Sequence, residues 1–164
     1  MNSSSIILAI APGNREFGIA VFIGIELFYY SVKTLNPKNS LPDQISGLFR
    51  KFFRWFNPQI VVLKPINQYQ TLSNSLEFVV KQIKFEAEQK DLQIVEITFE
   101  QIKHELCRGG KSTQKNAFRS LLSDYPELKR FWNRPNKWQN DYYAFLFSAI
   151  AVGSVYLKTL SKDK

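Results

Sequence analysis

The chain predicts an α/β domain built on a mixed, five-stranded sheet with helices on both faces. Three observations lead there. The N-terminal segment reads as three strands joined by tight turns. The middle alternates short apolar runs with amphipathic helical patterns, which is how strand–helix–strand units look in sequence. The C-terminus is one long helical pattern. With 164 residues, 45% hydrophobic content and 14 Phe, the chain fits one ordinary domain, residues 1–164, and not a disordered segment.

The first strand is Ile6–Ala11, a nearly continuous apolar run. Pro12-Gly13 turns it into a second strand over 17–23. Gly24 turns that into a third, around 26–32, where Phe28, Tyr29, Tyr30 and Val32 suit a strand by propensity. Asn36–Pro42 is a loop by its Pro, Asn and Ser content. A helix then starts near Ser40, which can cap it, with Pro42 in the first turn and Asp43 complementing the dipole. Ile45, Leu48, Phe49, Phe52, Phe53 and Phe56 recur at three and four spacing and make its apolar face, while Lys51 and Arg54 point elsewhere.

Asn57-Pro58 stops this helix, and Ile60–Leu63 is a short strand covered on both faces. A loop from Pro65 to Thr71 leads to a second long helix, 72–90, with Leu72, Leu76, Val79, Val80 and Ile83 inward. Asp91 ends it and 92–97 is the fifth strand. A short helix, 99–106, closes on Arg108-Gly109-Gly110. A further helical pattern spans 112–123 through Ala117, Phe118, Leu121 and Leu122, with Ser112 or Thr113 as its cap, and Tyr125-Pro126 breaks it. Asn133–Asn136 is a loop, and the last helix covers 139–160.

The charge is +8, from 22 Lys and Arg against 14 Asp and Glu. A surface this basic favours polyanions, most simply DNA or RNA. Cys107 is the only cysteine and His104 the only histidine, so no internal disulfide forms and a His/Cys zinc site is nearly excluded. The cysteine usage fits a reducing, cytoplasmic or otherwise intracellular setting. The N-terminus lacks the basic segment of a secretory signal, and no apolar run approaches a membrane span of ~20 residues.

The hairpin Ile6–Phe22, with its Pro12-Gly13 turn, resembles the opening of the ribonuclease H-like nuclease fold and most closely the RuvC-type Holliday-junction resolvases. The element order βββαβαβα…α is also the order of that fold. The resemblance covers most of the chain. It implies a metal-dependent nuclease scaffold in which three or four carboxylates hold two divalent metals about 3.5–4 Å apart. Those carboxylates sit on the first strand just before the Pro-Gly, at the end of the fourth strand, and on the inner face of the last helix, in a pattern resembling Asp-x-x-Asp-Ala.

Each of those positions departs from the family pattern here. Ala11 stands on the first strand and Lys64 follows the fourth strand. On the last helix Asn140 and Tyr143 take the acidic places, and Asp141, a possible residual acid, is one residue out of register. A one-residue shift turns a side chain by about 100° around a helix. Lys64 is the most damaging change, because a cation about 4 Å from a dication costs several kcal/mol even at an effective dielectric near 20. No metal ligand set is expected, and no cofactor; Mg2+ or Mn2+ enters only if another acid such as Glu16, Glu96 or Asp141 fills the role.

The resemblance also implies a glycine-rich basic loop that opens a helix and meets nucleic acid. Here it is Arg108-Gly109-Gly110-Lys111-Ser112-Thr113-Gln114-Lys115. Glycines let backbone approach a phosphate and the helix N-terminus adds positive potential. Arg15, Arg108, Lys111, Lys115 and Arg119 are the candidate contact residues, with Gly109 and Gly110 shaping the loop. An ordinary capped turn with solvated lysines is the simpler account of the same residues. His104 reads as a surface side chain and Cys107 as packing. The run Phe131–Trp138 either stacks bases or packs on the last helix. Phe52, Phe53, Trp55 and Phe56 either bury against the sheet, the simpler account, or serve a dimer interface.

The expected function is that of a catalytically inactive, RuvC-like pseudo-nuclease that binds branched or structured DNA, or RNA, as a homodimer or as a subunit of a nucleoprotein complex. Two alternatives stay open. One is an active metal-dependent endonuclease with relocated carboxylates. The other is a protein-interaction module that kept only the fold.

Overall fold

A computed structural model describes residues 5–65 and 74–163. Strands β1 (Ile6–Ala11), β2 (Glu16–Ile23) and β3 (Glu26–Thr34) form an antiparallel meander. Strands β4 (Ile60–Leu63) and β5 (Gln93–Glu96) extend the sheet in parallel on the other side of β1. The order is β3-β2-β1-β4-β5, a mixed five-stranded sheet as the sequence predicts.

Helices α1 (Leu41–Phe56) and α2 (Asn74–Gln89) cover one face. The other is covered by α3 (Phe99–Leu106), α4 (Gln114–Asp124) and α5 (Lys137–Lys162). Alternation along β1 divides the core between them: Leu8 and Ile10 face α1 and α2, while Ile7, Ala9 and Ala11 face α5. Ile45, Phe49, Phe52 and Phe53 of α1 are buried as the periodicity requires. Of the inward positions read for the second helix, Leu76, Val79, Val80 and Ile83 are buried. The loop over 66–71 and the helix start with Leu72 lie outside the described residues.

Small residues let α5 lie close on the sheet. A β-carbon at Gly18 would run into the carbonyl oxygen of Phe145, and one at Gly153 would run into the ring of Phe22. Residues 146–156 of α5 are buried throughout. By length and composition α5 is apolar enough to cross a membrane, which corrects the expectation that no segment comes near that test; here its apolar side chains are spent on the sheet.

Local caps follow the sequence. Ser40 Oγ accepts the Asp43 N–H at 3.5 Å, and Thr113 Oγ1 accepts the Asn116 N–H at 3.1 Å. Thr98 and Gln101 form a reciprocal capping box on α3. One element was not anticipated. Pro126 does break α4, but it also opens a short 3-10 turn, Pro126–Phe131, which pins Leu128 into the core. Proline is compatible with a first helical turn, so the same residue ends one element and starts another.

Candidate nucleic-acid interface

The parallel register sets Ile10 beside Leu63, and the Lys64 N–H continues the ladder to the Ile10 carbonyl at 3.0 Å. Ala11 and Lys64 are therefore neighbours at the C-terminal ends of two adjacent central strands. Lys64 follows Val62 by two, so it shares the α5 face with Ala9 and Ala11. Ala11 is buried and Lys64 half-buried. The Lys64 ammonium lies 5.3 Å from the Phe99 ring centroid. Burial lowers its pKa below the ordinary lysine value.

The last-helix positions are engaged elsewhere. Asn140 accepts the Arg134 N–H at 2.9 Å through Oδ1 and donates to the Arg134 carbonyl at 2.9 Å through Nδ2. Its amide thus staples the 133–136 loop to α5. Tyr143 packs against Phe131 with centroids 4.9 Å apart, and Asp141 pairs at the surface with Lys137 at 3.0 Å. Phe145 lies over Gly13 and Gly18, the turn and the strand that flank Ala11.

The remaining acids are scattered. Glu96 faces α2 and pairs with Lys84 at 2.6 Å, on the opposite side of the sheet from Ala11. Glu16 opens β2 and is half-buried. Among the described residues no three His, Cys, Asp or Glu side chains gather where they could hold a metal ion. Methyl, ammonium, phenol and an already committed amide are the wrong donors for a hard dication. The residues present do not fit the two-metal arrangement of the fold.

The basic loop is well braced. Gly109 has φ 76°, a left-handed conformation that favours glycine, and the Gly110 N–H donates to the Cys107 carbonyl at 3.1 Å. Asn116 Nδ2 donates to the Lys111 carbonyl at 2.9 Å, and Cys107 Sγ meets the Thr113 carbonyl at 3.4 Å. Arg108 contacts Glu105 at 3.2 Å, and Glu105 also binds Lys162 at 2.7 Å. The Lys162 hydrogen bond is the main cause holding the Glu105 carboxyl below its ordinary value; partial burial opposes it, and Arg108 adds to it. Lys111, Lys115 and Arg119 are exposed.

Between α4, the 3-10 turn and α5 runs a groove of about 530 Å³. It brings together Lys115, Asn140, Asp141 and Tyr143, with Phe118 and Trp132 among its apolar walls. Arg15, Ala11, Lys64, Arg108, Gly109, Gly110, Lys111 and Arg119 do not line it. Arg15 is exposed on the β1–β2 turn, where its carbonyl accepts the Leu35 N–H at 2.6 Å. The Phe131–Trp138 run divides: Phe131 and Trp132 pack on α5, Trp132 meeting Phe147 at 5.6 Å, while Trp138 is exposed. Arg130 was not singled out in the sequence. Its guanidinium lies 4.7 Å from the Phe131 ring centroid and donates to the Tyr30 hydroxyl at 3.2 Å, and only the fold brings Tyr30 to it.

No protein-family model matches the chain, and no curated protein sequence does. Among solved structures, Thermus thermophilus RuvC is similar at a TM-score of 0.69 and 14% identity, covering 94% of this chain and 96% of that one. The T. thermophilus RuvC complex with Holliday junction substrate gives 0.66 and 13%, with the same coverage. The fowlpox virus Holliday junction resolvase gives 0.58 and 12%, covering 94% of this chain and 99% of that one. Near-complete coverage in both directions, with the sheet order and helix placement described above, identifies the architecture: the chain has the RuvC-like, ribonuclease H-like fold.

Proposed function

We propose that this protein binds branched or structured nucleic acid, DNA in the first instance, without hydrolysing it. The observation that carries the reading is the pairing of Ala11 with Lys64 where the fold's nucleases need acids. A half-buried cation next to a methyl group repels the dications that would activate water and stabilise a leaving oxygen. It does not repel phosphate. The same face offers the braced loop of Lys111, the α4 N-terminus and Lys115 beside an aromatic groove. The solved RuvC and poxvirus resolvase complexes contain Holliday junction DNA, which supports branched DNA as the ligand to test first.

The test is a mobility-shift titration of a four-way junction, a flap and a linear duplex, with Mg2+ and Mn2+ present. The reading predicts retention of the junction, loss of affinity in Lys111→Glu/Lys115→Glu, and no product on a denaturing gel. Structure-specific products that vanish in Asp141→Asn or Glu16→Gln would reinstate catalysis. Failure to bind any of the three nucleic acids at low salt would point to a protein-interaction module.

A further inference from the structure

The solvent side of α1 carries a separate concentration of positive charge. Gly47, Arg50, Lys51 and Arg54 follow one another at helical spacing and form one stripe. Lys90, just beyond the end of α2, joins them around a groove of about 820 Å³, floored in part by Phe53, Pro58 and Leu92. Pro58 lies two residues before β4 and Leu92 one residue before β5, so this basin opens at the N-terminal ends of these strands, whereas Lys64 follows the C-terminal end of β4. It also belongs to the α1/α2 side of the sheet, whereas the α4 loop belongs to the α5 side.

Charge in the basin is largely uncompensated. Among the described residues, Arg50 has an ion-pair contact, 3.7 Å from the buried Glu86, but Lys51, Arg54 and Lys90 have no carboxylate in range. Lys51 instead lies 5.4 Å from the ring centroid of Trp55, whose side chain is 58% exposed. Gly47 lines the same groove. A glycine inside a helix weakens it relative to alanine, yet a β-carbon at Gly47 would meet nothing within 4 Å. Packing does not demand the glycine.

We infer that this basin is a second binding site for the phosphate backbone of nucleic acid, so that one chain holds two nucleic-acid segments on opposite sides of its sheet. Arg50 and Arg54 present guanidinium forks suited to phosphate oxygens, Lys51 and Lys90 add point charge, and exposed Trp55 offers a face on which a base can stack. The inference adds a surface to the proposed binding function and rests on different residues from it.

The test is calorimetric titration of the full chain with a blunt duplex of about one helical turn. Arg54→Gln/Lys90→Gln removes charge from exposed positions and leaves the Arg50–Glu86 contact intact; a thermal melt checks folding. Wild type is expected to take two duplexes per chain and the double variant one. The salt slope of log K at the lost site corresponds to roughly two released counterions from these side chains. Lys111→Gln/Lys115→Gln is expected to keep the basin site and lose the other. One duplex per wild-type chain that the Arg54→Gln/Lys90→Gln protein still takes, or two on that protein, overturns the inference. So does displacement of duplex from the Lys111→Gln/Lys115→Gln protein by polyglutamate as readily as by duplex, which would assign the basin to acidic polypeptide. If the basin variant drops one site while the loop variant drops none, the basin stands and the α4-loop reading fails.

Discussion

Lys64 stands beside Ala11 at the ends of two parallel central strands, its backbone N–H bonded to the Ile10 carbonyl at 3.0 Å and its ammonium over Phe99 at 5.3 Å. A half-buried cation flanked by an alanine and a phenyl ring has poor solvation and, among the described residues, no carboxylate ion-pair partner. That places a stability cost at the end of β4 and makes it measurable.

Lys64→Met is therefore expected to raise the melting temperature near neutral pH. The sign follows from linkage: the folded pKa is below the unfolded value of 10.5, so the penalty is in full force below the folded pKa and is lifted as pH rises towards 10.5. The gap between variant and wild type should narrow through that alkaline window in a series of thermal melts. A gap that widens there, or a destabilised variant, would mean that the ammonium is a net asset.

Close approach of α5 to the sheet depends on Gly18. Gly18→Ala forces a methyl group into the Phe145 backbone. Overpacking of this kind costs about 1–3 kcal/mol, more where backbone must move. Urea denaturation should show that loss, and Gly47→Ala, which meets no neighbour, should show a gain instead.

Arg108 shares its only described acidic partner, Glu105, with Lys162. Glu105→Gln frees the guanidinium for phosphate and is expected to tighten DNA binding by roughly two- to fivefold, the worth of an exposed ion pair. Fluorescence anisotropy at several salt concentrations reads both the affinity and its steeper slope. In the wild type the Glu105 carboxyl is held below its ordinary value, so its contribution to stability is present above pH 4.5 and lost as pH falls through the lowered value.

The strands and most helices were legible because their signals are local. Ile6–Ala11, Ile60–Leu63 and the Phe-rich face of α1 announce burial by composition and period alone. Boundaries moved where context adds support: β3 runs to Thr34 because β2 offers partners as far as Glu16, and α5 begins at Lys137 because Gln139 accepts the Asn136 N–H. Pro126 misled because a helix stop and a 3-10 start look alike in sequence. Among the site residues, the positions of Ala11 and Lys64 at strand ends were readable, but the work Asn140 does on Arg134 was not, since it depends on how the 133–136 loop folds back. The α1 basin was invisible for the same reason. Lys51 and Arg54 read only as pointing away from the apolar face, and Arg50 was not singled out, until the turn after α2 brings Lys90 to them.

Asn140→Asp would place an acid where the resemblance to RuvC-type resolvases implies one. Here it removes the donor to the Arg134 carbonyl and sets a carboxylate oxygen against it. The expected result is a loss of about 1 kcal/mol in chemical denaturation and no gain in metal affinity. A stabilised variant that binds Mn2+ would show that the position still points into a working site.

The central claim is that the side chains around Ala11 and Lys64 do not hold dications, and crystals soaked in manganese test it most directly. The account predicts an anomalous map without a peak bonded to side-chain carboxylates near Ala11, Lys64 and Tyr143. A strong peak ligated there by acids such as Glu16 or Asp141 would contradict it.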